Sequence, residues 1–150
     1  MKKILFVCHG NICRSPMAEF VFKDMVAKNG LKDAYYIESA AVSSEETGNP
    51  VYPPARRKLS ELGIDCSGKR ARKITREDYG RFDLILGADA SNIRNMLRFW
   101  GGDPDNKIHL LLEFTSNPRD ISDPWYTGDF DRALADIKAG CTGLLRKLEG

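Results

Sequence analysis

The chain has 150 residues, one domain's length, and its 42% hydrophobic and 29% charged content is that of an ordinary globular protein, which excludes disordered and fibrous chains. Such a chain buries roughly 70% of its unfolded surface, so its core needs neither disulfides nor metal to hold. Lys and Arg outnumber Asp and Glu by only 23 to 21, too little for bulk attraction to nucleic acid or a membrane surface, so any use of positive charge is local.

The apolar run at residues 4–7 is far shorter than the about 20 residues of a membrane span or the roughly 7–15 of a signal core. Cys8, Cys13, Cys66 and Cys141 are too few and too scattered for a disulfide scaffold. Both features point to the cytoplasm, where thiols stay reduced. Cys8 and Cys13 have no second pair at ligand spacing, and His9 and His109 stand alone, so no metal site is expected.

In chain order, residues 4–7 read as a buried strand that ends in a turn at Gly10. Ser15-Pro16 then reads as a cap followed by proline at the first helical position, with Met17, Phe20, Val21, Met25 and Val26 on one face. A second strand is predicted over 35–42. Next comes a helix opened by Pro53 or Pro54, carrying Ala55, Leu59 and Leu62 and stopped by Gly63. Residues 83–87 form a third predicted strand, 92–100 a helix and 108–112 a fourth strand. A long final helix spans 130–148, with Leu134, Ile137, Leu144, Leu145 and Leu148 in register. Strands alternating with helices imply an α/β fold, a parallel sheet covered on both faces. Residues 1–150 contain no repeat or linker that would divide this single domain.

Ligands of open parallel sheets bind where strands run into helices at their carboxyl ends. The first such loop is Cys8-His9-Gly10-Asn11-Ile12-Cys13-Arg14-Ser15. A cysteine, five residues, an arginine and a hydroxyl suit thiolate attack on a phosphate ester. Curled backbone N–H groups and the helix N-terminus make an anion cradle around the sulfur. Arg14 can grip two phosphoryl oxygens bidentately, as lysine cannot. Ser15 can donate to the sulfur. Gly10 permits close approach, and Asn11 tolerates a left-handed backbone or braces the loop through its amide. The Cys-x5-Arg spacing alone is weak; together with the strand before it, the serine after it and the Pro-started helix it becomes specific.

The leaving oxygen needs a proton, and Asp120, Asp123, Asp129 and Asp131 all precede the final helix. Asp123 is the best placed, because Pro124 stiffens its backbone and Trp125-Tyr126 can shield it from water. The same carboxylate can then activate water for the second step. Trp125 and Tyr126 read as one wall of an aryl site, with Ile12 and His9 opposite.

On the motifs Val7 to Pro16 with Ala18-Glu19, Glu38-Ser39-Ala40-Ala41 and Asp123-Pro124-Trp125-Tyr126, the chain resembles the low-molecular-weight protein tyrosine phosphatases over almost its whole length. The resemblance implies a four-stranded parallel sheet with helices on both faces, a cysteinyl-phosphate intermediate, and no cofactor or metal. It selects Asp123 as the acid and implies that Asn11, Ser15 and Ser39 hold the cradle in shape. A histidine from residues 67–71 often joins them; here that stretch reads Gly68-Lys69-Arg70, so the supporting network must differ. Some bacterial relatives dephosphorylate arginine and carry threonine at the Ile12 position. Apolar Ile12 favours an aromatic ring, so the expected substrate is a phosphotyrosine protein or a small aryl phosphate. The resemblance further implies a redox role for Cys13, as a reversible partner that protects Cys8.

Glu45-Glu46 reads as a solvated face, with selection for basic over acidic peptides as the other option; Cys66 and Cys141 read as packing residues; and Asp89 reads as a helix N-terminal acid, with bracing of a nearby loop as the other option. Thiol-dependent arsenate reduction on the same scaffold needs further cysteines after the third strand, and residues 80–100 have none. A phosphate-binding module without activity would need neither Cys8 nor Asp123. The chain is expected to be a monomer, with weak self-association through its aromatic surface as the other option.

Overall fold

The computed structural model describes residues 1–150. Four strands, β1 (Lys2–Cys8), β2 (Tyr35–Ala41), β3 (Leu84–Gly87) and β4 (Ile108–Leu110), form one sheet in the order β2-β1-β3-β4. All neighbours are parallel; Cys8 pairs with Ala41, and Val7 with Gly87. Six helices accompany them: α1 (Arg14–Lys28), α2 (Pro53–Glu61), α3 (Asp78–Arg81), α4 (Ala90–Trp100), α5 (Pro124–Thr127) and α6 (Phe130–Glu149). The expected four-stranded parallel sheet with helices on both faces is what the chain forms.

Alternation along β1 divides the core. Ile4, Phe6 and Cys8 face the side covered by α1, α2 and α6, where Phe22, Leu59, Ile137 and Leu144 are buried. Leu5 and Val7 point the other way, toward Ile85, Phe82 and Met96 of α4. Because β1 is flanked by β2 on one side and β3 on the other, the chain reverses its winding direction there. The crevice at the carboxyl end of β1 is therefore the switch point where open α/β sheets bind ligands. No helix is long and apolar enough to cross a membrane.

Several boundaries differ from the sequence reading. Ser15 is not the cap of α1: the helix begins at Arg14, Cys13 occupies the cap position without a side-chain bond, and the Ser15 hydroxyl turns to Cys8. The fourth strand stops at Leu110, and the chain tightens into a 3₁₀ turn over Leu111–Phe114. Helix α4 starts earlier than predicted, at Ala90, where Asp89 and Asn92 form a reciprocal capping box. The two four-residue helices α3 and α5 are too short to leave a periodic signal.

Candidate active site

The loop between β1 and α1 curls around the Cys8 sulfur. Asn11, held at φ 60° in the left-handed region, turns its backbone N–H to Cys8 Sγ at 3.3 Å. Ser15 Oγ lies 3.0 Å from the same sulfur. The N-terminus of the 15-residue α1 lies beside the same loop.

Arg14 is only 3% exposed. Its Nη1 donates to Asp89 Oδ2 and to the Ile121 carbonyl, each at 2.8 Å, and its Nη2 lies 3.4 Å from Asp123 Oδ2. Burial works against the guanidinium charge, but Cys8, Asp89 and Asp123 outweigh it and hold the Arg14 pKa above its ordinary value. Asp123 caps α5 by accepting from Trp125 N–H at 3.0 Å, which fixes its carboxylate at the rim.

One cleft is lined by Cys8, His9, Gly10, Ile12, Cys13, Arg14, Asp123, Trp125 and Tyr126, so the fold gathers these predicted residues into a single space. Its remaining lining residues are Glu45 and Glu46. The solvated-face reading of that pair misses their position at the mouth, where Glu45 pairs with His9 Nε2 at 3.0 Å. The shield over Asp123 is open, since Trp125 is 51% and Tyr126 83% exposed. Trp125 leans on Tyr52, ring centroids 4.8 Å apart, and Tyr52 stacks in turn on Phe130. Tyr52 N–H also donates to the Ile12 carbonyl, tying the aromatic wall to the cradle.

Behind the loop, Asn11 Nδ2 donates to Ser15 Oγ at 2.8 Å and to Ser39 Oγ at 2.9 Å, so the three residues are hydrogen-bonded to one another. Asn11 Oδ1 accepts from Arg72 N–H at 3.1 Å. Asp89 does more than cap a helix, because its second oxygen carries Arg14. Cys13 is a buried free thiol; burial, then the charge on Cys8, then Asp123 push its pKa up to about 12.

The sequence reading did not assign roles to Tyr52, Glu19, Lys69 or Arg72. Tyr52 had a usable signal, an aromatic directly before Pro53-Pro54, whereas the others act across sequence gaps of 20 residues or more.

The family model for low molecular weight phosphotyrosine protein phosphatase matches residues 3–150. The chain belongs to this family. A low molecular weight phosphotyrosine protein phosphatase of Sus scrofa is 42% identical over 98% of this chain and 96% of its own length. The crystal structure of YfkJ, the Bacillus subtilis low molecular weight protein-tyrosine-phosphatase, superposes with a TM-score of 0.96 at 38% identity, covering 99% of this chain and 95% of that one. A Drosophila arginine phosphatase of the same fold aligns with a TM-score of 0.89 at 32% identity, covering 100% and 99%. The phosphatase fold therefore accompanies more than one kind of phosphorylated residue among the names of these neighbours.

Proposed function

We propose that this phosphatase hydrolyses phosphotyrosine and other aryl phosphate monoesters through a cysteinyl-phosphate intermediate. The observation that carries the reading is the convergence of a donor-ringed sulfur, a buried guanidinium and a rim carboxylate in one cleft. Cys8 Sγ attacks phosphorus as the P–O bond to the aryl group breaks, and Asp123 gives its proton to the departing oxygen. Arg14 and the loop amides hold the equatorial oxygens as charge spreads over them. Water, deprotonated by Asp123, then attacks phosphorus and releases Cys8 with inorganic phosphate. No step requires a metal.

Ile12, buried and apolar, and the Trp125–Tyr126 pair line the same cleft as Cys8, which favours an aromatic ring over a guanidinium. A thiol nucleophile functions where thiols stay reduced, so the proposed site of action is the cytoplasm.

The test is turnover of para-nitrophenyl phosphate without added metal, beside a phosphotyrosine peptide and phosphoarginine. Expected are hydrolysis of both aryl esters in preference to phosphoarginine, no turnover by Cys8→Ser, and a loss of about 10²–10⁴ for Asp123→Ala. Full activity of Cys8→Ser would overturn the mechanism; preference for phosphoarginine would overturn the substrate class.

A further inference from the structure

Beneath the cradle lies an ion pair that the reaction above does not use. Glu19, on the second turn of α1, is 3% exposed. Its Oε1 accepts from Ser39 Oγ at 2.6 Å and lies 3.1 Å from Lys69 Nζ. Its Oε2 meets Lys23 Nζ at 2.6 Å. Lys69 sits in the segment between α2 and α3, its side chain 12% exposed, and also donates to the Ser39 carbonyl at 2.9 Å. A lysine and a glutamate withdrawn from water to this extent are costly unless paired and hydrogen-bonded, and here both are.

The pair sets the direction of a hydrogen-bond chain that ends on Cys8. A carboxylate only accepts, so the single proton of Ser39 is committed to Glu19, and Ser39 Oγ is left to accept from Asn11 Nδ2. Arg72 N–H only donates, so it holds Asn11 Oδ1 on the opposite side. The second amide proton of Asn11 then goes to Ser15 Oγ, which leaves the Ser15 proton a choice between Cys8 Sγ at 3.0 Å and the Ala40 carbonyl at 3.4 Å, and the shorter contact is to the sulfur. Without the Glu19 carboxylate the Ser39 proton is no longer committed to one acceptor, and the bracing of Asn11 and Ser15 weakens.

We infer that Lys69 is a positioning residue for the reaction: with Glu19 it forms a buried ion pair that anchors the Ser39–Asn11–Ser15 chain and keeps the Ser15 hydroxyl donating to Cys8. The inference rests on Cys8 being the nucleophile. Lys23, whose side chain is 43% exposed, supports the same carboxylate from solvent, so loss of Lys69 weakens the device without abolishing it.

Alkylation of Cys8 by iodoacetamide at pH 6 reads the sulfur without requiring turnover, so it stands apart from the test of the phosphatase reading. The charged groups facing the sulfur and its mouth, Arg14, Asp123, His9, Glu45 and Glu46, are the same in every variant compared. Lys69→Met is expected to slow alkylation at pH 6 about tenfold, the effect of one lost hydrogen bond. kcat for para-nitrophenyl phosphate falls by a similar factor, and competitive inhibition by inorganic phosphate changes less than twofold because Arg14 is untouched. Lys69→Arg restores both rates to within threefold. Glu19→Gln removes the charge at nearly constant volume and produces at least the Lys69→Met defect; it also decides the matter should Lys69→Met not fold. The double variant loses no more than the worse single one. Alkylation and kcat within twofold of wild type in Glu19→Gln, or losses that multiply in the double variant, would overturn the inference.

Discussion

Arg14→Lys keeps the positive charge at the base of the cradle and removes only the planar fork, so it isolates what geometry contributes. Nη1 is already occupied by Asp89 and the Ile121 carbonyl, each at 2.8 Å, while Nη2 lies beside Asp123. A phosphoryl group therefore has to be gripped by the remaining edge of the same guanidinium. An ammonium cannot satisfy Asp89, the Ile121 carbonyl and two phosphoryl oxygens from one nitrogen. Loss of one charge-assisted bond in the transition state costs about 1.5–3 kcal/mol, and with the displaced carboxylate the total reaches about 3–4 kcal/mol. That corresponds to a fall of about 10²–10³ in kcat/KM for para-nitrophenyl phosphate. A melting curve of each protein with and without inorganic phosphate completes the assay: phosphate should raise the Tm of the wild type and do so much less for Arg14→Lys. A folded Arg14→Lys enzyme within tenfold of wild type would refute the idea that the fork, rather than charge alone, stabilises the transferring group.

Other predictions concern the thiols and the scaffold. At pH 7 Cys13 should resist iodoacetamide while Cys8 is labelled, since burial and the neighbouring sulfur charge push its pKa up to about 12; peptide mass spectrometry showing equal labelling would contradict this. Peroxide-inactivated enzyme should recover with dithiol, and Cys13→Ser should recover less, measured as regained activity. Gly143→Ala should destabilise by about 1–3 kcal/mol in urea titration, because the new Cβ falls 2.0 Å from the Phe114 carbonyl oxygen and the strain exceeds the helix-propensity gain of about 1 kcal/mol. Asp103 accepts from the Tyr79 hydroxyl and from Lys107 and Ile108 N–H, and although burial opposes it, these bonds hold its pKa below the usual carboxylate value. Its contribution is therefore complete above the unfolded pKa of about 3.9 and is lost as pH falls through the lower folded value. Asp103→Asn should cost about 1 kcal/mol at pH 7, a gap that closes toward pH 3 in urea titrations.

Much of this was readable from local pattern. Val7-Cys8 to Ser15-Pro16 carries strand, turn and helix start in ten residues, and the chemistry proposed for Cys8, Arg14 and Ser15 follows from their types at that spacing. Short apolar runs placed the four strands, and helical periodicity placed the long helices. What stayed hidden depends on distant partners. Nothing beside Lys69 in the chain announces Glu19, fifty positions away, and nothing beside Asp89 announces Arg14. Ser15 followed by proline has the appearance of a cap, and only the curled loop shows that its hydroxyl is needed elsewhere.

The distribution of buried polar groups shows how this fold reconciles a hydrophobic core with an anion site. Eight polar or charged residues are buried: Asn11, Arg14, Ser15, Glu19, Ser39, Asp78, Asn92 and Asp136. Asn11, Ser15, Ser39 and Glu19 form the chain that ends at Cys8. Asn92 caps α4 together with Asp89, which carries Arg14. Asp78, fully buried, grips the Arg72 side chain through both oxygens, and the Arg72 backbone N–H anchors Asn11. Only Asp136 stands apart, paired with Arg119 and with one oxygen unpartnered. Seven of the eight thus belong to two networks that meet at the cradle. Each such group costs more to bury than an apolar one unless fully bonded, and concentrating them at the carboxyl edge of β1 confines that cost to the place where a transferring phosphoryl group needs preorganised donors. Substitutions in these networks that leave every buried charge paired should therefore depress catalysis more than stability, whereas changes such as Gly143→Ala at the α6 packing face should do the reverse.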